Sequence, residues 1–331
     1  MSRDASPRPH LASAMPPPDA SLNHVLGTRI PLIQGGMSWV SRHALAAAVS
    51  EAGALGVIGS GGMDEAELRE EIRALRQVTQ RPFAVNLPLT NVHPDHGDEL
   101  LSRCIGVTLD ESVPVVVTGA GSPRHYTPML KEAGARVLHV VPSPQLALKC
   151  EQAGVDAVIA ESNEGGGHVR VDGLSTLALI PQVLDAVSIP VVAAGGIADA
   201  RGVAAVVALG AHGVQVGTRF IATVECNAHP HYKQAVLDAR EEATAIYSKA
   251  HHASRALQTP AVRRMLQMEA QGVGLEELLA FRGRGRAREG CIRGDLQEGI
   301  LPAGTGAGMI DEILSAGEVV RSLAAGFGVV A

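Results

Sequence analysis

Short runs of aliphatic residues alternate with amphipathic, helix-like segments along most of the chain. The runs are continuous stretches of Val, Ile, Leu and Ala, which is typical of parallel strands that are buried on both faces. They begin roughly 20–35 residues apart, the length of one strand and one helix in a βα unit. We therefore predict eight strands, at Ile30–Gln34, Leu55–Gly59, Phe83–Leu87, Val113–Thr118, Val137–Val141, Ala157–Glu161, Val191–Ala194 and Val214–Val216.

The segments between these runs carry the signals of amphipathic helices. Asp64 is placed to cap a helix over 64–76, and Ser41 to cap one over 43–52 that ends before Gly53. Eight strands that alternate with helices predict a (β/α)₈ barrel, known as a TIM barrel. A doubly wound open sheet is the alternative that the pattern leaves open.

The two ends of the chain and the stretch after the eighth strand break this rhythm. Residues 1–22 are rich in proline and predict a disordered tail, so the barrel is expected over 23–221. Residues 222–300 are polar, have no strong strand run, and predict a helical lid or insert. In the remaining segment, 301–331, we expect an amphipathic helix over 309–325 that packs back on the barrel.

Composition narrows the classes of protein that remain. Of the 331 residues 46% are hydrophobic, but only one Trp, three Tyr and four Phe are present, so the core is aliphatic. The net charge of −6 gives no field that attracts nucleic acid or an acidic membrane. No apolar run approaches the ~18 residues of a membrane span. The four cysteines lie far apart, without C-x-x-C or Cys/His metal spacing. These features predict a cytoplasmic protein with no nucleic-acid, membrane or metal partner.

Glycines and an amide stand where the predicted strands end, which is where a parallel barrel places its active site. The first strand ends in Gln34-Gly35-Gly36-Met37, and the two glycines allow the backbone to approach a planar ligand closely. An ordinary glycine turn is the alternative. The third strand carries Asn86, whose side-chain amide both donates and accepts hydrogen bonds.

Glycine-rich loops follow the last two predicted strands. Gly195 and Gly196 lead into a helix over 200–209, and the eighth strand continues as Gln215-Val216-Gly217-Thr218. Loops at these two positions of a barrel, beside helix N-termini, commonly hold phosphate. The chain lacks G-x-x-x-x-G-K-[ST] and has no G-x-G-x-x-G opening its first strand–helix unit, which excludes a P-loop and a Rossmann site. We predict a phosphorylated ligand, with simple tight turns as the alternative.

A histidine follows three glycines after the sixth strand, in the segment Glu161-Ser162-Asn163-Glu164-Gly165-Gly166-Gly167-His168. No helix or strand period includes His168, and imidazole exchanges protons near neutral pH, so we predict a catalytic role against a structural one. Glu161 and Glu164 are carboxylates near enough in sequence to hold its ring. The arginine-rich segment 281–289 predicts a solvated loop or disordered lid, with a grip on a phosphate-bearing substrate or cofactor as the alternative.

Taken together, these motifs resemble one group of flavoenzymes. The segments are similar, in order along the chain, to the nitronate monooxygenase family and equally to its sister, the flavin-dependent enoyl-acyl-carrier-protein reductase. They are PLIQGGMSWVS (31–41), GALGVIGSGG (53–62), PFAVNLPL (82–89), EGGGHV (164–169), IPVVAAGGIAD (189–199) and VQVGTRFIATVECNAHPHYK (214–233).

The resemblance implies an FMN-binding barrel with a helical insertion, and it implies roles for particular residues. His168 aligns with the active-site histidine of the family. The remaining residues would bind the cofactor: Gly36, Met37 and Asn86 at the flavin ring, and Gly195, Gly196, Gln215, Gly217 and Thr218 at the ribityl phosphate end.

Two activities follow from the resemblance. A nitronate monooxygenase oxidises alkyl nitronates through the flavin and then lets the reduced flavin react with O₂, without a nicotinamide. The reductase instead takes hydride from NAD(P)H and delivers it to an enoyl thioester. Segments 115–123 and 227–233 look close to the reductase, whereas Val169–Gly173 and Ala303–Thr305 depart from it.

We therefore expect an FMN-dependent oxidoreductase of the nitronate monooxygenase type that acts on a small molecule. The NAD(P)H-dependent enoyl-thioester reductase is the alternative, and a non-catalytic flavin-binding or partner-dependent protein is a third. A homodimer remains an open alternative to a monomer.

Overall fold

The computed structural model describes residues 20–89, 97–283 and 285–328. The strands in these ranges are β1 (Leu32–Gln34), β2 (Gly56–Gly59), β3 (Phe83–Pro88), β4 (Val115–Gly119), β5 (Arg136–Val141), β6 (Ala157–Glu161), β7 (Gly167–His168), β8 (Val191–Ala194), β9 (Gly213–Val216), β10 (Thr244–Tyr247) and β11 (Ser254–Leu257). The α-helices are α1 (Ala20–Leu26), α2 (His43–Glu51), α3 (Glu65–Val78), α4 (Gly97–Asp110), α5 (Thr127–Glu132), α6 (Pro144–Gln152), α7 (Thr176–Leu184), α8 (Ala200–Ala208), α9 (Thr218–Ile221), α10 (Pro230–Leu237), α11 (Pro260–Ala270), α12 (Leu275–Arg282), α13 (Arg286–Arg293) and α14 (Ala316–Ala324). None of the described helices combines the length and the apolar character that crossing a bilayer requires.

Eight parallel strands form the barrel, in the order β1-β9-β8-β6-β5-β4-β3-β2. The two edge strands meet through Leu55, which bridges to Ile33 just before β2 begins. The Leu55 N–H donates to the Leu32 carbonyl at 2.9 Å, and the Gln34 N–H donates to the Leu55 carbonyl at the same distance. All eight predicted strands are present, and the predicted (β/α)₈ barrel is confirmed over the open sheet.

Side chains of the barrel strands alternate between the barrel interior and the layer beneath the helices. Val57, Val117 and Ile159 belong to the interior cluster, while their chain neighbours pack outward under the helices. Both layers are aliphatic, which explains why the strands appear in the sequence as continuous runs. The interior is thus a packed core with no room for a pore.

Helix α1 closes the N-terminal end of the barrel. Leu22 and Leu26 are fully buried and belong to the same cluster as the interior strand residues. Gly213 lies beneath this plug, because a Cβ there would sit 2.5 Å from Leu22 Cδ2. The prediction that the disordered tail extends to residue 22 is therefore wrong for residues 20–22, and residues 1–19 lie outside the described residues. The helix has only seven residues and depends on tertiary burial, so its pattern is too short to detect.

The stretch predicted as a helical insert contains helices and also strands. β10 and β11 form an antiparallel hairpin, and β11 pairs on its other side with β7, where Ser254 lies opposite His168. The prediction of an insert without strands is wrong here, because strands of four mixed polar and apolar residues give almost no periodic signal.

The C-terminal helix is shorter than predicted. It begins at Ala316, because Ser315 forms a capping box in which its hydroxyl accepts from the Glu318 N–H and the Glu318 carboxylate accepts from the Ser315 N–H at 2.9 Å. The predicted helix over 309–325 is therefore wrong before residue 316, and Ile310, Ile313 and Leu314 lie outside it. α14 packs against the barrel helices α2 and α8.

Candidate active site

Three polar side chains reach the barrel axis at the C-terminal ends of the strands. Asn86 on β3, Glu161 on β6 and Gln215 on β9 stand in register with interior residues of neighbouring strands: Asn86 pairs with Val117, and both Glu161 and Gln215 pair with Ala194. Side chains in register share a face of a sheet, so all three point inward. None has a side-chain hydrogen-bond partner among the described residues. The mouth of the barrel is therefore lined by polar groups that remain available to a ligand.

The loop after β1 crosses this mouth beside Asn86. A Cβ on Gly36 would lie 2.4 Å from Asn86 Cβ, so the loop can take this path only with glycine. Met37 follows, and its Sδ lies 3.8 Å from the place that a Cβ on Gly217 would occupy. The structure thus brings Gly36, Met37, Asn86 and Gly217 together at one side of the mouth.

The glycine loop after β8 adopts a conformation that favours glycine. Gly195 has φ of 100° and Gly196 has φ of 72°, and a Cβ on Gly195 would strike the Ser162 hydroxyl. The following helix α8 is already capped, because the Asp199 carboxylate accepts from the Arg201 N–H at 2.9 Å and the Gly202 N–H at 3.1 Å. Asp199 thus occupies two N–H groups in the first turn of α8, whereas α9, which begins at Thr218, has no side-chain cap.

The loop between β6 and α7 packs closely against the C-terminal segment. A Cβ on Gly304 would lie 2.5 Å from the Glu164 carbonyl oxygen, and a Cβ on Gly166 would lie 2.7 Å from the carbonyl carbon of Ala303. The Gly304 N–H also donates to Thr218 Oγ1 at 3.0 Å. The glycines in these loops are thus required for packing between loops. The contacts join the loops after β6 and β9 to residues near the end of the chain.

The two carboxylates of this loop do not hold the predicted catalytic histidine. The Glu164 carboxylate accepts from the Thr176 N–H at 3.1 Å and from the Ser162 hydroxyl at 3.4 Å. The half-buried Glu161 carboxylate points into the mouth, and burial raises its pKa to about 7. The expectation that Glu161 or Glu164 supports the ring of His168 is therefore wrong. Alternation along β6, with Ile159 inside, is the signal by which the inward position of Glu161 could have been found.

His168 lies on β7, opposite Ser254, although the sequence places it in no periodic element. Its exposed ring meets the ring of His252 edge-on, with 6.2 Å between the ring centroids. The pKa of His168 is lowered, first because nearby protein atoms desolvate its charged form and then because Arg282 and His252 repel a proton. Sequence reasoning missed His252 and Arg282 as neighbours, because only the β11–β7 pairing brings the insert to this loop.

Most of the described residues of the arginine-rich segment 281–289 lie in α12 and α13 and not in a solvated loop. Arg282 donates to the Ser248 hydroxyl at 3.2 Å, and Arg286 donates to the Phe281 carbonyl at 2.8 Å. The Arg288 guanidinium lies 5.9 Å from the centre of the Trp39 ring, in the loop after β1. Residue 284 lies outside the described residues.

Comparisons with known proteins agree with this architecture. Residues 20–326 match the family model described as nitronate monooxygenase. The structure of FabK from Thermotoga maritima is 43% identical in sequence, with a TM-score of 0.85 over 93% of this chain and 95% of that one. The nitroalkane oxidase from Streptomyces ansochromogenes is 33% identical, with a TM-score of 0.81 over 93% of this chain and 98% of that one.

Similarity also extends to curated dehydrogenases. The (3aS,4S,5R,7aS)-5-hydroxy-7a-methyl-1-oxo-octahydro-1H-indene-4-carboxyl-CoA dehydrogenase of Mycobacterium tuberculosis is 32% identical, with 91% of this chain and 94% of that protein covered. The protein of the same name from Rhodococcus jostii is 40% identical, with 62% of this chain and 56% of that protein covered. These relatives are oxidoreductases by name, which supports an enzyme. The chain belongs to the nitronate monooxygenase family.

Proposed function

We propose that the protein is an FMN-dependent oxidoreductase that reduces the double bond of an enoyl thioester with electrons from NAD(P)H. The observation that carries this proposal is the 43% identity to FabK, an enoyl-acyl-carrier-protein reductase, over 93% of the chain. Nitroalkane oxidase covers the same share at 33% identity. The mycobacterial relative is likewise named for a carboxyl-CoA substrate. Nitronate oxidation, which the sequence alone placed first, becomes the second candidate.

The mouth of the barrel contains groups that fit FMN. The side chains of Asn86 and Gln215 have no hydrogen-bond partner in the described part of the chain and would pair with polar atoms of the flavin ring, beside Gly36 and Met37. The left-handed glycines 195 and 196, together with Gly217 and Thr218 at the start of α9, would accommodate the phosphate end. An inward apolar side chain at either amide position would have argued against a flavin.

FMN would supply the chemistry of electron-pair transfer between the two substrates. The side chains of this protein would control position and protons. His168, on the short strand β7 that follows β6, would hold the proton that the substrate carbon receives. Glu161, whose pKa lies near 7, would be the second group able to exchange a proton there. The C-terminal segment around Gly304 would keep the loop of His168 close to the mouth.

Nitronate oxidation is favoured by the description of the family model and by the nitroalkane oxidase neighbour. A nitronate is a small anion, and the cationic surroundings of His168 suit it. The two activities differ in the electron donor, because a nitronate reduces the flavin itself and the reductase requires NAD(P)H.

The test reduces the FMN-loaded protein without oxygen, in parallel with NADH, NADPH and propane-2-nitronate, and follows the flavin absorbance. We expect rapid bleaching by a reduced nicotinamide, followed by recovery of the oxidised spectrum on addition of crotonyl-CoA. Bleaching by the nitronate alone would overturn the proposed reductase and establish the second candidate. Protein that takes up no FMN would overturn both.

A further inference from the structure

Three histidines and an arginine gather beside the mouth. We call His168, His251, His252 and Arg282 the cationic rim. The ring centroids of His251 and His252 lie 4.2 Å apart, and those of His252 and His168 lie 6.2 Å apart. The Arg282 guanidinium lies over the ring of Tyr247, 5.9 Å from its centre. These residues come from β7, from the turn between β10 and β11, and from the end of α12, so the small sheet assembles them.

No acidic side chain neutralises the rim among the described residues. Arg282 Nη1 donates to the Ser248 hydroxyl at 3.2 Å and to the His251 carbonyl at 3.4 Å, and it forms no ion pair there. Glu269 approaches the same turn from α11, but its carboxylate accepts from the backbone N–H of Lys249. The guanidinium of Arg282, the permanent cation of the rim, is thus held by neutral acceptors.

The charges of the rim act on one another. The pKa of His252 is lowered by desolvation, then by His251 and by Arg282, and no carboxylate opposes this shift. The pKa of His168 is likewise lowered by desolvation and then by Arg282 and His252. An anion bound between these groups would favour the protonated rings and so oppose these shifts. The three imidazoles are exposed to solvent, so an anion can reach them.

We propose that the cationic rim is the binding site for the diphosphate of the nicotinamide dinucleotide that delivers electrons to the enzyme. The proposal rests on the proposed function, because it assigns to that activity the place where its electron donor is held. Guanidinium and imidazolium groups are the usual protein partners of phosphate oxygens.

Coenzyme A also contains a diphosphate. The two molecules differ in the distance between the reacting group and the diphosphate. The rim contains His168, which the proposed function places at the reacting carbon. In a nicotinamide dinucleotide one ribose separates the reacting ring from the diphosphate. In a coenzyme A thioester the entire pantetheine arm separates the thioester from the diphosphate. The rings of the rim follow one another at 6.2 and 4.2 Å from His168, so a diphosphate that they bind lies close to the reacting carbon, as it does in the dinucleotide.

The first experiment measures binding of ADP-ribose, which carries the diphosphate without the nicotinamide, to the FMN-loaded protein by calorimetry. We expect wild-type protein to bind it, and Arg282→Gln and His251→Gln each to weaken binding by about 10-fold or more, since each loses a hydrogen-bond donor to the diphosphate. Arg293→Gln is the matched control, because Arg293 is exposed and pairs with Glu289 on α13. Adenosine, which has no phosphate, serves as the ligand control. His251 is exposed, so its variant keeps the test valid if Arg282→Gln fails to fold.

The second readout is the pKa of His168 by NMR titration of the histidine ring protons. We expect ADP-ribose to raise this pKa in the wild type and not in Arg282→Gln, and Arg282→Gln to raise it without ligand by removing a cation. The rise on adding ADP-ribose is the decisive response, because an arginine with a purely structural role would not produce it.

Three outcomes overturn the proposal. They are no heat of binding with ADP-ribose, equal binding in wild type and both rim variants, and tighter competition by the 3′-phosphoadenosine 5′-diphosphate part of coenzyme A than by ADP-ribose. These results are independent of turnover. A protein that binds ADP-ribose at the rim but reduces no enoyl thioester would contradict the proposed function and leave the rim as a dinucleotide site.

Discussion

The two ends of the barrel differ in the side chains that line its axis, which are apolar at one end and polar at the other. At the N-terminal end Leu22 and Leu26 of α1 fill the interior and are fully buried. At the C-terminal end Asn86, Glu161 and Gln215 point at the same axis, and their side chains have no hydrogen-bond partner among the residues that the structure describes. One end of the barrel is filled by apolar side chains, and the other presents polar side chains with which a ligand could form hydrogen bonds.

This difference indicates that the closed end contributes mainly to stability and the open end mainly to ligand binding. Apolar side chains that fill the closed end lower the free energy of the folded state by leaving water. Unpaired polar side chains at the open end contribute little to folding and are retained for another use. Substitutions at the two ends should therefore separate into losses of stability and losses of ligand.

The closed end is tested by Leu26→Ala, which leaves a cavity in the plug. We expect the free energy of unfolding to fall by about 2–5 kcal/mol, the usual cost of a buried leucine truncated to alanine. Leu177→Ala on α7 is the matched control, because Leu177 is 67% exposed and the same chemical change should cost less than about 0.5 kcal/mol. Urea unfolding of both variants measures the difference. Equal losses would show that α1 is not part of the barrel core.

The open end is tested by His168→Ala. We expect turnover to fall by roughly 100-fold or more through loss of proton transfer, with bound FMN and thermal stability unchanged because the side chain is exposed. His24→Ala, at an exposed position on α1, controls for the loss of a surface histidine. Turnover is measured on FMN-loaded protein with the donor identified by anaerobic reduction. Wild-type rates in His168→Ala would assign the histidine a structural role.

The pH dependence of stability in wild type and in Glu161→Gln tests whether a polar side chain at the open end lowers the stability of the fold. Burial raises the folded-state pKa of Glu161 from 4.5 to about 7, so the folded protein holds a proton that the unfolded chain releases between these values. Wild-type stability should therefore fall as pH rises from about 4.5 to 7, whereas the neutral glutamine is insensitive in this range. We expect Glu161→Gln to be more stable than wild type at pH 8, by on the order of 1 kcal/mol because water at the mouth screens the charge. The two proteins should converge near pH 4.5. A constant difference across this range would mean that Glu161 has an ordinary pKa.

Much of the barrel could be predicted from the sequence because both of its layers are aliphatic. Continuous runs such as 157–161 and 191–194 are typical of strands that are covered on both sides. The small sheet and α1 could not be predicted, because they are stabilised by contacts distant in the chain. Ser254 reaches His168 across many residues, and Leu22 is ordered by the barrel that it plugs.

For the same reason, the sequence predicted the site residues on the barrel strands but not the neighbours of His168. Gly36, Asn86 and Gln215 follow or end strands, so the rule that barrel strands share one active end brings them together. The neighbours of His168 depend on the path of the insert. Arg282 lies more than a hundred residues further along the chain, and no local pattern connects the two.

The central claim is that the polar mouth of the barrel is the FMN site, and the double variant Asn86→Ala/Gln215→Leu tests it most directly. FMN affinity is measured by quenching of flavin fluorescence, with urea unfolding of the same samples as a check on folding. We expect the double variant to unfold like the wild type and to bind FMN at least about 10-fold more weakly, since two hydrogen-bonding side chains are lost. Wild-type FMN affinity in a folded double variant would contradict the account.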